Sequence, residues 1–253
     1  MAMSELSSNK HKALKVSDYA GIEYANTQHL MNIRVTEVAK VACEQSVFFA
    51  RNSHNGHYTL SALASFSVKQ NLFVNNLQWQ ALYTPVCMQV YPLQLLTRAA
   101  NSRDYFIAID DTSKALNESD GQALFDDNGN PSLYLSAQKK LLESDLNNDY
   151  LSYQFIEKMT QLGLIKGIDI VLEFEGIAAQ TIQGLSTIDE DKLKTLDDNT
   201  IIELHKLGYM SVINAMLLSL FQLNALVKLH NKQPHLNTLK QVKLMVSNNL
   251  NTL

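Results

Sequence analysis

The sequence predicts an α+β fold, in which an N-terminal antiparallel sheet region packs against a C-terminal helical half containing one β-hairpin. Residues 47–109 contain short β-rich runs separated by turn signals, and helical spacing takes over after Pro131. Residues 168–185 then return to strict alternation of apolar and polar side chains. With 253 residues, of which 46% are hydrophobic and 18% charged, the chain can bury a substantial core.

The predicted domain organisation follows from composition. Residues 1–9 are polar and predict a disordered terminus. Residues 10–232 form one predicted domain, with a β-rich half over 10–131 and a mainly helical half over 132–232. Residues 233–253 contain lysines but no acidic residue, which predicts a basic C-terminal tail.

Short elements are predicted for the first half. Val35–Cys43 has the spacing of a short helix, and Pro92 suits the first turn of another. Compact apolar runs separated by turn residues predict the strands. These strands are Val47–Ala50, Tyr58–Phe66, Asn71–Val74, Gln78–Leu82 and Tyr105–Ile109.

The second half carries clear start and stop signals. Ser132 is a predicted N-cap, and Gly163 a predicted C-terminal stop. Asp189 and Asp197 each precede a predicted short helix, whose dipole favours a carboxylate there. The predicted elements are helices over 133–142, 150–162, 190–193 and 200–207, and a hairpin of strands 168–175 and 181–185 around Gly176.

Tyr209–Leu229 is the most apolar stretch of the chain. A membrane-spanning helix needs roughly 20 mostly apolar residues, and polar side chains interrupt this stretch repeatedly. We therefore predict a buried core helix and no membrane span. The interrupting residues are Ser211, Asn214, Ser219, Gln222 and Asn224.

Charge and cysteine usage point to a cytoplasmic protein. Residues 1–15 are polar and lack the apolar region of a signal peptide. Cys43 and Cys87 form no CxxC pair, which predicts two buried free thiols in a reducing compartment. Residues 104–203 hold 20 Asp or Glu against 7 Lys or Arg, which argues against a nucleic-acid surface there. Such a block suits a solvated face, a cation or a basic partner.

Asp110 and Asp111 follow an apolar strand, where carboxylates often line functional sites. Because neighbouring residues of a strand point to opposite faces, only one of the two can face a given cleft. Together with Asp126 across the following loop, they define a candidate acidic site that could share a proton or hold a divalent ion. Loop capping is the alternative interpretation.

Two further motifs are better explained as turns. Asp126–Asn130 resembles the start of a calcium loop, but the glycine comes too early and the twelfth position is Ala137. His54 and His57 flank an Asn-Gly pair, which is a hairpin signal. We assign no metal and no cofactor from these patterns.

His205 is a candidate for acid–base chemistry, although a histidine at a helix end is the commoner outcome. The sequence contains no nucleophile-elbow, Walker, dinucleotide-binding or zinc-protease pattern. It leaves open whether the protein is an enzyme.

An ordered series of short motifs along most of the chain resembles the bacterial SapC family. The central signature is Ile109-Asp110-Asp111-x-Ser113, followed by Gly121 and by Leu124-Phe125-Asp126-x-x-Gly129-x-Pro131. The other motifs are His11-Lys12-x-Leu14-Lys15-Val16, Asn71-Leu72-Phe73-Val74, Trp79, Tyr83-x-Pro85, Tyr91-Pro92, Gly184-Leu185, Ile188-Asp189-Glu190-x-Lys192-Leu193, Leu204-His205 and Ala215-x-Leu217-Leu218-Ser219-Leu220.

Three positions depart from what the resemblance implies. Family members commonly carry two arginines before the Tyr-Pro pair, where this chain has Gln89 and Val90. The long helix often carries a histidine where this chain has Met216. No catalytic role is therefore carried over. Asp110, Asp111, Asp126, Tyr91 and His205 are the predicted ligand-binding residues.

The resemblance implies an accessory or protein-binding protein that serves a bacterial envelope or protein-modification system. The partners it implies are halogenase-like proteins, cupin-like oxygenases and TonB-dependent receptors. Two alternatives stay open at this point: an enzyme with an acidic, metal-dependent site at the loops after Ile109 and Phe125, and a structural surface-layer protein. Self-association into a homo-oligomer is left open as well.

Overall fold

A computed structural model describes residues 2–52, 56–98 and 104–247. It confirms the α+β class. The chain forms two compact units: unit 1 contains residues 1–27, 74–80 and 84–148, and unit 2 contains residues 28–73, 81–83 and 149–253. His54 and Asn55, in the predicted hairpin turn, lie outside the described residues.

Unit 1 contains three small antiparallel sheets with short helices. The first has the strand order β1-β9-β8, the second β10-β2-β11, and the third is the β6–β7 pair. The strands are β1 (Met3–Glu5), β2 (Lys15–Val16), β6 (Val74–Asn75), β7 (Gln78–Trp79), β8 (Leu93–Thr97), β9 (Tyr105–Asp110), β10 (Leu116–Asn117) and β11 (Gln122–Ala123). The helices are α1 (Ser8–His11), α2 (Ala20–Asn26), α4 (Val86–Val90) and the first part of α5 (Leu133–Gln161).

The core of unit 1 is an apolar cluster contributed by most of these elements. Ile109 and Leu124 are completely buried in it, and Leu135 and Leu142 reach it from one face of α5. Leu135 and Leu142 are seven residues apart, which places them two helical turns apart on the same face of α5. The other buried members are Val16, Ala20, Val90, Leu93 and Ala115.

Unit 2 is built on one six-stranded antiparallel sheet in the order β14-β12-β13-β4-β5-β3. Its strands are β3 (Leu30–Ile33), β4 (Ser46–Arg51), β5 (Tyr58–Leu63), β12 (Ile165–Phe174), β13 (Gln180–Ile188) and β14 (Leu239–Val246). Its helices are α3 (Val38–Val41), the last part of α5, α6 (Glu190–Leu193), α7 (Asp198–Lys206), α8 (Tyr209–Ser219) and α9 (Gln222–Asn231).

The centre of this sheet is covered by apolar side chains and by one buried polar link. Phe49 on β4 stacks on Phe155 of α5, with ring centroids 6.2 Å apart. Ser219 at the end of α8 accepts the Val47 N–H through its Oγ (2.9 Å), and its carbonyl accepts the Ser46 hydroxyl (2.8 Å). These bonds satisfy buried polar groups while holding α8 on β4.

Most local predictions are confirmed, especially those based on caps and alternation. The Ser132 Oγ accepts the Leu135 N–H at 3.0 Å, and the Asp189 and Asp197 side chains cap α6 and α7. Gly163 adopts a positive φ angle at the predicted helix end, and Gly176 does so at the predicted hairpin turn. The hairpin of β12 and β13 is longer than predicted but lies in the predicted place.

Five local predictions are wrong. The strand predicted over Asn71–Val74 is reduced to Val74, because Leu72 and Phe73 lie in a turn. Pro92 does not begin a helix, because the residues after it form strand β8, and the Pro92 carbonyl accepts the Asp110 N–H of β9 (3.1 Å). The two helices predicted between 133 and 162 are one, α5. Met3–Glu5, expected to be disordered, pairs with β9, and the expected tail contains β14, which pairs with β12.

The apolar stretch after Gly208 also differs from the prediction. It forms two helices, α8 and α9, separated at Leu220 and Phe221, and only one face of each is buried. By length and composition, Tyr209–Asn231 is the one segment of the described chain that could cross a membrane, with a mean hydropathy of 1.7 and 28% of its residues buried. Apolar core helices of soluble proteins meet the same criteria.

Cys43 and Cys87 form no disulfide, as predicted, but neither is buried. Cys43 is exposed and Cys87 is half-buried.

Candidate functional site

Asp110 ends strand β9 and is used by the backbone around it. Its Oδ1 accepts the Thr112 hydroxyl (2.6 Å), the Thr112 N–H (3.1 Å) and the Ala2 N–H (3.1 Å). Burial alone raises the pKa of this carboxyl, but these hydrogen bonds outweigh it and hold the pKa below the ordinary value. Asp110 therefore fastens the N-terminal strand and caps the turn after β9.

Asp111 contacts a buried histidine. The Nδ1 of His11 lies 3.0 Å from the Ser7 nitrogen and 3.1 Å from the Ser7 carbonyl oxygen, and its Nε2 lies 3.2 Å from the Oδ1 of Asp111. Hydrogen bonds from Ser4 and then His11 lower the pKa of Asp111. Ser4 Oγ lies 3.5 Å from the same Nε2. A catalytic triad needs the acid and the nucleophile on different ring nitrogens, so this cluster is not one.

Asp126 organises its own loop. Its Oδ1 accepts the N–H groups of Asn128 (2.9 Å) and Asn130 (2.8 Å), and these bonds, with one from the Asn130 side chain, lower its pKa. Gly129 adopts φ +80° at the tip. The turn interpretation of this motif is therefore sufficient, as expected for an aspartate that hydrogen-bonds its own backbone.

His205 lies exposed in the last turn of α7 in unit 2. Asp110, Asp111 and Asp126 make no contact with one another in the described chain. Asp110 and Asp126 accept hydrogen bonds from groups close in the sequence, and Asp111 contacts the distant His11. Within residues 2–52, 56–98 and 104–247, no group of three or more His, Cys, Asp or Glu side chains is placed to hold a metal ion.

Tyr91, the remaining predicted residue, lines a cavity of about 320 Å³ in unit 1, which we call the Tyr91 pocket. Its walls come from α2, α4 and α5 and from strands β7 and β11. Three aromatic side chains, Trp79, Tyr91 and Tyr134, share the lining with polar groups. The other lining residues are Ser17, Asp18, Ala20, Gly21, Ile22, Thr84, Met88, Gln89, Gln122 and Gln138.

Close packing of α2 on α4 shapes one side of the pocket. A Cβ at Gly21 would lie 2.4 Å from the carbonyl oxygen of Met88, so only glycine lets the two helices approach this closely. The ring of Tyr24 stacks on Tyr91 with centroids 4.8 Å apart, and this contact fixes the Tyr91 ring.

Strand β11 forms another wall of the pocket, and the backbone at Gly121, just before this strand, packs closely against Val16. Gly121 has φ +105°, and a Cβ there would lie 2.2 Å from the carbonyl oxygen of Val16. The next residue, Gln122, pairs with Val16 and donates its Nε2 to the Oδ1 of Asp18 at 3.0 Å. The carboxylate at the rim is thereby held in place.

Amide groups face the pocket from three elements. Gln89 on α4 donates to the Thr84 carbonyl at 2.6 Å, which leaves its oxygen to accept. Gln138 lies one turn after Tyr134 on α5 and on the same face. The Oε1 of Gln138 is buried and has no hydrogen-bond partner among the residues that the structure describes. Such an atom is costly unless a ligand or water donates to it.

Two tyrosines at or beside the pocket, Tyr134 and Tyr24, have raised pKa values, which makes them poor acid–base catalysts at neutral pH. Burial, with a smaller contribution from the Asp18 charge, raises the pKa of Tyr134 to about 12. Burial also raises the pKa of Tyr24 behind Tyr91. Because general acids and bases operate best with a pKa near the working pH, these phenols act at neutral pH as hydrogen-bond donors and as walls.

A larger hollow of about 680 Å³ lies beside β8, β9 and α5 in the same unit. Four of its five charged side chains are paired with each other. Arg98 bonds Glu5 through two nitrogens and contacts Asp104 (3.1 Å), and Lys139 lies 4.0 Å from Glu143. The Tyr91 pocket is the better candidate site because it combines aromatic walls with an unpaired buried acceptor.

Sequence reasoning found one pocket residue, Tyr91, and missed the rest. Trp79 belongs to the motif series that carried the family resemblance, and so does Gly121, which positions β11. Gln89 stands at one of the three positions that depart from the expected family pattern, and the structure places it on the pocket. These motif positions were the available signal for the site.

Comparison with known proteins gives one match. The model of the SapC family matches residues 6–226. A search of the curated proteins found no match, and neither did a search of the solved structures.

Proposed function

The chain belongs to the SapC family, and from this membership and the Tyr91 pocket we propose that it is an accessory protein that binds a segment of a partner protein. The proposed setting is a bacterial envelope or protein-modification system. In the proposed role the protein performs no catalysis of its own, works in the cytoplasm, and holds its partner in the Tyr91 pocket.

The observation that carries this proposal is the chemistry of the pocket lining. Aromatic walls accept an apolar or cationic side chain, while amides both donate to and accept from a peptide backbone. The buried Oε1 of Gln138 supplies an acceptor suited to a ligand N–H. A volume of about 320 Å³ is enough for a few side chains rather than a folded domain.

The halogenase-like proteins, cupin-like oxygenases and TonB-dependent receptors implied by the family remain the proposed partner classes. The absence of a disulfide between Cys43 and Cys87 supports the proposed cytoplasmic setting, because thiols persist in reducing compartments. An enzyme with an acidic metal site has less support, since Asp110, Asp111 and Asp126 are each engaged by other groups of the protein.

Site-specific photocrosslinking tests the proposal. A photoreactive amino acid at Gln89, on the pocket rim, is expected to capture one defined partner in the native cell. The same group at Glu118, an exposed position of unit 1 outside the lining, is the matched control. Tyr91→Ala should reduce the Gln89 crosslink by about tenfold, because it removes an aromatic wall.

Crosslinks of equal yield at both positions, or a Gln89 product unaffected by Tyr91→Ala, would contradict pocket binding. Metal analysis of the purified protein addresses the enzyme alternative. A stoichiometric divalent ion that is lost in both Asp110→Asn and Asp126→Asn would favour that alternative.

A further inference from the structure

Three large apolar side chains protrude from one part of unit 2. Leu82 is 94% exposed, Phe221 73% and Leu218 67%. The Leu82 N–H donates to the Glu44 carboxylate at 2.6 Å, and the neighbouring Cys43 carbonyl accepts the Gln222 side chain at 2.9 Å. Leu82 and Gln222, the residue after Phe221, are thus bonded to the same two-residue segment. We call Leu82, Leu218 and Phe221 the corner patch.

The patch lies where the α8–α9 segment bends. Leu220 and Phe221 separate an 11-residue helix from a 10-residue one, and neither alone is long enough to cross a hydrocarbon layer about 30 Å thick. The opposite face carries the buried side chains Ile213, Met216, Leu223 and Leu226, which hold both helices in the unit. The segment therefore presents apolar side chains outward while remaining attached.

Two exposed lysines, Lys40 and Lys228, lie near the patch. Exposed Lys228 follows Phe221 by seven residues, about two turns, and so lies on the same helix face. On the other side, Lys40 lies 5.0 Å from the ring of Tyr83, the neighbour of Leu82. Glu44 is the carboxylate beside the patch, and Leu82 N–H engages it.

We propose that the corner patch docks the protein on a membrane surface that contains anionic phospholipids. Leu82, Leu218 and Phe221 insert into the interfacial region, and Lys40 and Lys228 contact the headgroups. Separate protruding apolar side chains with cationic neighbours are the composition of a peripheral membrane contact. This inference concerns unit 2 and does not depend on the Tyr91 pocket.

Vesicle co-sedimentation of the full chain tests the proposal. Vesicles of phosphatidylcholine mixed with phosphatidylglycerol are expected to bind the protein, whereas pure phosphatidylcholine vesicles bind it more weakly, and salt should reduce the difference. Phe221→Glu should weaken binding by about tenfold or more, because the side chain can no longer be buried in lipid. Lys228→Ala should weaken binding by about fivefold.

Leu133→Glu is the matched control, because Leu133 is 93% exposed and lies in unit 1. It should leave vesicle binding unchanged, and thermal unfolding should show that all variants are folded. Failure of the wild-type protein to bind the mixed vesicles overturns the proposal, as does unchanged binding by Phe221→Glu. A wild-type dimer that Phe221→Glu converts into a monomer, without vesicle binding, assigns the patch to a second copy instead.

Discussion

The acidic loops of unit 1 and the Tyr91 pocket both carry polar side chains, but they differ in what those side chains contact. Asp110 and Asp126 accept hydrogen bonds from backbone groups within a few residues, and Asp110 also holds Ala2. In the pocket, Gln138 leaves a buried oxygen without a partner in the described chain. The clustered acids of the sequence stabilise local turns, whereas Gln138 keeps an acceptor that the described chain does not use.

The difference between the acidic loops and the Tyr91 pocket follows from how far apart in the sequence their interacting residues lie. A carboxylate followed closely by Thr, Asn and Gly can satisfy itself in a turn, and it then has little capacity left for a ligand. The pocket instead joins residues between Ser17 and Gln138 through the packing of five elements. Binding groups that come from separate rigid elements keep their geometry without using up their hydrogen-bonding capacity on each other.

The largest expected effect comes from the glycine beneath the pocket. Gly121→Ala should destabilise the protein by about 3 kcal/mol or more, because the new Cβ would lie 2.2 Å from the Val16 carbonyl oxygen at a φ of +105°. Gly129→Ala in the acidic loop has a positive φ too, but its nearest neighbours are Ser8 side-chain atoms at 3.6 Å. It should cost only about 1–2 kcal/mol.

Urea denaturation of both variants measures this difference. The comparison between the regions fails if Gly129→Ala is the more destabilising substitution, because the loop would then be as tightly constrained as strand β11.

A smaller, pH-dependent effect is expected in the acidic region. Asp110→Asn should cost about 1–2 kcal/mol at pH 7, because a neutral amide accepts the three hydrogen bonds less strongly. The folded-state pKa of Asp110 lies below its ordinary value of 3.8. Its contribution is therefore present above that value and lost as the pH falls through the lower folded-state pKa.

Chemical denaturation between pH 7 and pH 2 checks the sign. The difference between wild-type protein and Asp110→Asn should be constant near neutrality and shrink in the acid range. A difference that grows on acidification would mean that Asp110 is strained in the folded protein, as a site carboxylate is, rather than stabilised.

Local signals in the sequence predicted the parts of the fold that depend on local physics. Ser132 and Asp189 cap helices because their side chains bond N–H groups two or three residues ahead, and alternation over 168–175 reports one half-exposed face. The prediction of a helix at Pro92 was wrong because proline suits the first position of a strand as well as that of a helix. Its role depends on β9, more than ten residues later.

The candidate site was less predictable for the same reason. Tyr91 was identified through its motif, but nothing near it in the sequence indicates Tyr134 or Gln138, which reach the pocket from α5. The sheet position of β14 is likewise non-local, since it pairs with β12 across about seventy residues. Composition alone showed lysines there and suggested a tail.

The smallest stability effect should accompany a large loss of binding. Gln138→Leu removes the buried oxygen that has no partner in the described part of the chain, so the free energy of unfolding should stay unchanged or rise by about 1 kcal/mol or less. The Gln89 crosslink to the partner should nevertheless fall by about tenfold, because the ligand loses its acceptor. Residues kept for binding at the expense of stability behave in this way.

Urea denaturation and the crosslink yield, measured on the same preparation, decide this prediction. Gln94→Leu, at an exposed position of β8, is the control for the change in polarity. A loss of stability in Gln138→Leu above about 1 kcal/mol would show that the oxygen is satisfied inside the protein. Gln138 would then resemble Asp110 in serving the fold, and the contrast between the acidic loops and the Tyr91 pocket would disappear.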